Sequence, residues 1–349
     1  MSEVELKSDQ YNCKNCGSVL CFNPNTQSLF CEKCKSTFDL EKKRSFKRHD
    51  FESETVDNQK RNEWVEDNKV FKCKNCGGSI VANKYEFSNT CPYCNTNLAV
   101  DSSALPGLKP DGIIPFAFDK TGASQKFVEN VKKRFYVNGK FKRHLPENKI
   151  KGTYVPSFVF DMNTDSTYHG VLSETEHRDG HSYTRTFHIS GTLKKPYKNV
   201  MVESSSKITQ KELDGILPFD MSKAVDYKNG FILGYTVEHY ADTLKVCEEI
   251  ARETISKLIR RDILSKYSYD SVQSLVVKTD YSQKEYNYVL VPLYKFEYTF
   301  KNKSYTTYMN GQNGKVDKNL PKSIPKIVLT VLIVLLIIAL PFILSMISE

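Results

Sequence analysis

Eight of the ten cysteines fall into four Cys-x-x-Cys pairs: Cys13/Cys16, Cys31/Cys34, Cys73/Cys76 and Cys91/Cys94. Each such turn aims two thiolates at one ion and frees backbone N–H groups to bond the sulfurs. Zinc takes four ligands in a tetrahedron with sulfur at about 2.3 Å, so two turns on facing hairpins complete one site. The run Cys-Lys-Asn-Cys-Gly occurs at Cys13–Gly17 and again at Cys73–Gly77, with the same spacing to the next pair. This is an internal duplication, and its halves read as one kind of module. Two structural zinc ions are therefore expected. Cys13, Cys16, Cys31 and Cys34 would hold one, and Cys73, Cys76, Cys91 and Cys94 the other. Gly17 and Gly77 follow the first turn of each site, where glycine takes a positive φ without strain.

Disulfide pairing needs an oxidising compartment, and no signal segment precedes these pairs. A thioredoxin-like redox pair is single and sits in a βαβ context. A zinc site closed by four protein ligands has no open position, so zinc catalysis is not expected. Cys21 and Cys247 read as small buried apolar residues.

The elements that position these thiolates must be small β-hairpins, and the rest of the chain divides around them. Residues 1–40 form zinc ribbon 1, 41–70 a charged linker, and 71–104 zinc ribbon 2. Residues 105–320 form an α+β domain with a mostly antiparallel sheet. Residues 321–349 are a basic flank and tail. In the linker, Lys42, Lys43, Arg44, Lys47 and Arg48 precede Glu52, Glu54 and Asp57. This reads as a solvated segment. Contact with anionic lipid or nucleic acid is the sharper alternative. Trp64 is expected to pack the linker against a neighbour.

In the α+β domain a helix is expected over 121–136, with Phe127, Val128, Val131 and Phe135 on one face and Gly139 as its stop. Residues 154–161 and 166–172 read as a hairpin, followed by strands at 183–193 and 200–203. Thr209 and Glu212 form a capping box for a short helix ended by Pro218. Asp242 caps a longer helix lined by Leu244, Cys247, Ala251, Ile255, Leu258 and Ile259. Strands follow at 274–280, 285–300 and 304–309. Val155-Pro-Ser-Phe-Val-Phe160 is similar to Val291-Pro-Leu-Tyr-Lys-Phe296, which suggests two related halves.

Residues 327–347 carry no charge. A helix of that length spans about 30 Å, the thickness of a bilayer core. A transmembrane tail anchor is expected. Lys315, Lys318, Lys322 and Lys326 precede it, which would keep the N-terminal domains cytoplasmic and the chain single-pass in the cell membrane.

The chain has 349 residues, of which 40% are hydrophobic and 26% charged, with a formal net charge of +9. This excludes a disordered chain. The basic excess shrinks further when eight thiolates hold two divalent ions, and it is too small to point to nucleic acid alone. His169, His177, His181 and His188 lie among Glu174, Glu176 and Asp179, and read as polar hairpin residues. HExxH, GxSxG, phosphate-loop and dinucleotide motifs are absent. No catalytic residue and no small-molecule substrate are expected.

The duplicated ribbons, the stretch Leu108-Lys-Pro-Asp-Gly-Ile-Ile-Pro-Phe116, the strand beginning at Tyr154, the stretch from Met309 to Lys315 and the apolar end resemble one bacterial family. It is the TFIIB-type zinc-ribbon membrane proteins of the YdjG-like kind. The resemblance implies a membrane-associated protein of a membrane-stress system that recruits a phage-shock-type partner. It carries over the ribbon cysteines and no catalytic residue. The expected function is a tail-anchored scaffold whose ribbons and α+β domain bind partner proteins at the membrane, and not an enzyme. The alternative is a membrane-tethered zinc-ribbon protein that binds nucleic acid in replication or transcription.

Overall fold

The computed structural model describes residues 8–9, 12–52, 109–143, 145, 149–178, 180–205, 208–238 and 240–347, and the backbone of four strands within 68–100. Among them are strands β1 (Ser8–Asp9), β2 (Leu20–Asn23), β3 (Ser28–Cys31), β4 (Thr37–Phe38), β5 (His49–Asp50), β6 (Asn68–Lys72), β7 (Ser79–Asn83), β8 (Glu86–Thr90), β9 (Asn97–Val100), β10 (Gly112–Ile113), β11 (Lys149–Arg178), β12 (His181–Glu203), β13 (Val225–Asp226), β14 (Thr236–Glu238), β15 (Ser271–Phe300) and β16 (Lys303–Asn310). The helices are α1 (Lys120–Lys133), α2 (Gly139–Arg143), α3 (Gln210–Ile216), α4 (Leu244–Leu264) and α5 (Ile324–Ile347).

β11 and β15 run antiparallel through the centre, with Val155 directly opposite Val291. The arrangement is two-fold about that point. β14 pairs parallel with β11 at Thr153 and Tyr154, and β10 pairs parallel with β15 at Val289 and Leu290. Each long strand returns through a hairpin, β11 into β12 and β15 into β16. The similar segments 155–160 and 291–296 thus meet at their first residues and run away from each other along the two strands.

Successive side chains on a strand point to opposite faces, and both faces here are covered. Tyr154, Phe158 and Phe160 pack with Phe127 and Val131 of α1 and with Cys247, Ala251, Ile255 and Ile259 of α4. Val155 and Val159 pack on the other side with Leu213 and Ile216 of α3. Asp119 caps α1 by accepting from the Gly122 N–H at 2.7 Å. Thr209 and Glu212 close the capping box of α3. Thr243, one residue beyond Asp242, caps α4.

Several local expectations are corrected. α1 ends at Lys133, so Phe135 turns outward and is 61% exposed. Gly139 opens α2 rather than stopping a helix. Asp161–Asn163 is not a turn between two short strands. It is a bulge inside one continuous β11, because β15 and β12 both carry the ladder past it. Strands 274–280 and 285–300 are likewise parts of one β15.

The expected fold class is also corrected. The chain is mostly β-sheet with few helices, because 30-residue strands replace the short strands read from the sequence. The apolar run does form α5, and its Val, Leu and Ile side chains over 328–338 are exposed. Yet among the described residues no helix is long and apolar enough to cross a membrane. Side chains of α5 are described to Leu340, and the stretch 324–340 rises about 25 Å, short of a bilayer core of roughly 30 Å. The transmembrane anchor, and the single-pass placement in the cell membrane that depended on it, are withdrawn.

Residues 41–52 lie against the body. Asp226 accepts from the Ser45 N–H at 2.7 Å, the Ser45 hydroxyl at 2.6 Å and the Phe46 N–H at 3.1 Å. Arg48 pairs with Asp161 at 3.0 Å and donates to the Val159 carbonyl at 2.8 Å. Arg44 donates to the Met221 carbonyl at 2.8 Å. Two of the five cations in this segment are thus bound internally. Trp64 lies outside the described residues.

Candidate metal centre

Two turns carry the first set of cysteines, one before β2 and one between β3 and β4. In the first, the Cys13 N–H donates to the Ser18 carbonyl at 2.6 Å and the Gly17 N–H to the Cys13 carbonyl at 2.8 Å. In the second, the Cys31 N–H donates to the Ser36 carbonyl at 2.9 Å and the Lys35 N–H to the Cys31 carbonyl at 2.9 Å. The turns are built alike. Gly17 sits at φ 70° and Lys35 at φ 63°. Lysine at this left-handed position costs about 1 kcal/mol that glycine avoids. The ring of Phe30 lies under the Lys35 ammonium, 5.7 Å away, and offsets part of that cost.

The turns bring four sulfurs together. Cys13 Sγ lies 3.4 Å from Cys34 Sγ, and Cys16 Sγ lies 3.5 Å from Cys31 Sγ. All four lie within 4.8 Å of one another. Sulfurs at about 2.3 Å from a tetrahedral zinc stand about 3.8 Å apart. The four thiols therefore fit one metal ion with small adjustments. The local field favours thiolates in part of the set. The Ser36 hydroxyl and N–H hold Cys34 down at about 6, and the Ser18 hydroxyl and N–H hold Cys16 low. Burial pushes Cys13 up to about 11. A bound cation reverses that last effect and completes the set.

The ribbon is seated on the β-body. Phe22 is buried with its ring 5.4 Å from that of Phe231. The Phe22 N–H donates to the Leu233 carbonyl at 3.1 Å. Gln27 donates to the Phe116 carbonyl at 2.6 Å, and Asn25 to the α1 cap Asp119 at 3.0 Å. Metal binding, ribbon folding and docking are thus linked through β2 and β3.

Cys73, Cys76, Cys91 and Cys94 lie outside the described residues. The backbone of their module adds to the main sheet, with β8 antiparallel to β14 and β9 antiparallel to β8. Cys247 is buried on α4, and burial pushes it up to about 12. Cys21 is half-buried, and burial with Glu32 nearby pushes it up to about 11.

The four histidines do not converge. His169, His177 and His188 share the outer face of the β11–β12 hairpin, spread along the ladder, and His181 falls on the other face. His177 Nδ1 lies 2.8 Å from the Ser182 hydroxyl. Among the described residues, only the Cys13 group brings three or more metal-ligating side chains together. The sequence reading missed Lys35 as the counterpart of Gly17. It also missed Ser18 and Ser36, which the repeated Cys-x-x-Cys-x-Ser spacing does display.

No family model matches the chain, so TFIIB-type zinc-ribbon membership stays a resemblance. No solved structure matches it. Among curated proteins the chain is similar to the uncharacterized protein YdjG of Bacillus subtilis (strain 168), at 28% identity over 314 residues and 88% of the length of each.

Proposed function

We propose that the chain is a zinc-stapled, non-catalytic scaffold that captures partner proteins on its projecting hairpin. The observation that carries this is the end of that hairpin. β15 accompanies β11 only as far as Ser173, which pairs with Ser271. Beyond it the hairpin is two strands wide, and the side chains of 174–177 and 180–187 are exposed or half-exposed, Tyr183 at 60%. An isolated two-stranded ribbon is marginal in water. A partner packed on it supplies the missing layer, with Tyr183 as an aromatic anchor of the kind enriched at interfaces.

Zinc is the ion that four thiolates in a closed tetrahedron suit, and its role here is structural. A second zinc ion on Cys73, Cys76, Cys91 and Cys94 follows from the duplicated motif. Metal analysis of the purified chain should give two zinc ions, and Cys73→Ser should remove one of them. For the scaffold reading, the chain with its tip shortened to an Asn-Gly turn is compared with the unaltered chain by crosslinking and mass spectrometry. Partners that crosslink equally to both chains, with metal content unchanged, would sink it.

A second reading, nucleic-acid binding, is favoured by one patch. Phe135 and Tyr136 are exposed, Lys326 lies 4.6 Å over the Phe135 ring, and Lys132, Lys133, Lys140 and Lys322 are exposed as well. Exposed cations beside stacking aromatics suit single strands. Binding that weakens steeply on a log–log salt plot would support it, and no binding at low salt would remove it.

A further inference from the structure

The three-stranded part of the arm, β12–β11–β15, has two outer edges, and they are built differently. β12 carries Lys194, Lys195, Pro196 and Lys198. Lysine and proline are what proteins place on an edge to prevent pairing. β15 carries no proline there; its Lys278 lies on the same face as Asp280, and the left-handed Gln283 marks a bulge beyond them. At one end Arg260 of α4 reaches it, donating to the Leu275 carbonyl at 2.9 Å. At the other end β5 pairs with it from Glu285. Between these, residues 276–282 pair with β11 on one side and, among the described residues, with no strand on the other. Val276 is 46% exposed.

The charges in this window are unbalanced within one copy. Asp280 stands directly opposite Asp165, and like charges so placed destabilise a ladder. Lys194 pairs with Asp165 at 2.6 Å. Asp280 and Lys278 form no ion pair among the described residues.

We propose that this edge is a self-association surface, at which β15 of one copy pairs antiparallel with β15 of a second copy about a two-fold axis at Thr279. That register puts Lys278 of each copy opposite Asp280 of the other, twice. On the same face Val276 meets Ser282. On the α4-covered face half-buried Val277 meets half-buried Tyr281, a β-branched–aromatic pair of the kind sheets favour. The two arms join into one six-stranded sheet, and each Asp280 gains the cation it lacks. The occupant is a second copy of this chain because the register is complementary to itself.

The test uses the full chain in a non-ionic detergent that covers the exposed side chains of α5, with mass measured by light scattering after gel filtration. The unaltered chain should be a dimer. Lys278→Glu and Asp280→Lys each set like charges opposite one another twice, and each should weaken the dimer about 10-fold or more. Mixed in equal amounts, the two variants should regain dimers, because Glu at 278 then faces Lys at 280 and Asp280 faces Lys278. Both positions are on the surface, so folding is not at issue. A monomeric unaltered chain, single variants that dimerise normally, or a mixture that fails to recover would each overturn the proposal.

Discussion

Glu203 offers a sharp test of how the β-body is held together. This residue is 6% exposed at the end of β12, directly opposite Ser157 of β11. Burial pushes it up from 4.5 to about 8, and Asp242, Glu238 and Glu212 add to the shift. The Ser205 N–H, which donates to it, opposes the shift. Between pH 4.5 and about 8 the folded chain keeps a proton that the unfolded chain has released. Stability is therefore lost as pH rises through that window, by up to about 1.4 kcal/mol per pH unit. Water reaches part of the carboxyl, so we expect about 2 kcal/mol between pH 5 and pH 8. Glu203→Gln cannot titrate. Its amide oxygen keeps the Ser205 bond, and its NH2 can donate to the Ser157 hydroxyl, which is buried and has no partner among the described residues. Urea unfolding of both chains at pH 5, 6.5 and 8 measures the difference. The variant should gain on the unaltered chain as pH rises, by about 2 kcal/mol overall. Parallel pH profiles, or a variant weaker at pH 8, would refute the reasoning.

Other outcomes follow from single contacts. Phe22→Ala should cost about 3 kcal/mol of ribbon docking, seen as faster hydrogen exchange across β2 and residues 231–233, with the first metal still bound. Cys31→Ser should lose that metal and show the same exchange signature, since it unfolds what Phe22 anchors. Asp226→Ala removes three hydrogen bonds from Ser45 and Phe46 and should speed trypsin cleavage after Lys42, Lys43 and Arg44. Lys35→Gly relieves a left-handed lysine but loosens the unfolded chain by a similar amount, so its effect on thermal unfolding should lie within about 0.5 kcal/mol.

The metal site was legible because its chemistry is written in residue type and spacing at once. Four thiols at fixed intervals leave few geometries, and the described set adopts one that suits a tetrahedral ion. The capping box of Thr209 and Glu212 was legible for the same reason, being a short-range pattern that closes on itself. The long strands were not. Asp161-Met-Asn-Thr-Asp165 has the composition of a turn, and a local reading stops there. What carries the strand through is pairing on both sides, with Asn163 opposite Ser282 of β15 and Pro196 of β12. Those partners are far away in sequence. Phe135 fails similarly, since the helical period continues past Lys133 while the backbone does not.

The strap and the ribbon seat show a further reason for the mismatch. Arg44 and Arg48 read as a solvated charge run because the sequence shows only their neighbours along the chain. Their partners, the Met221 carbonyl and Asp161, lie more than a hundred positions away. Burying an arginine is favourable only when its donors are satisfied, and here the body supplies the acceptors. The charge run is therefore an attachment device that holds the segment following ribbon 1 on the body. A metal site that spacing alone can identify is held in place by contacts that only the fold can supply. That division explains why the sequence reports the ligands clearly and the binding surfaces hardly at all.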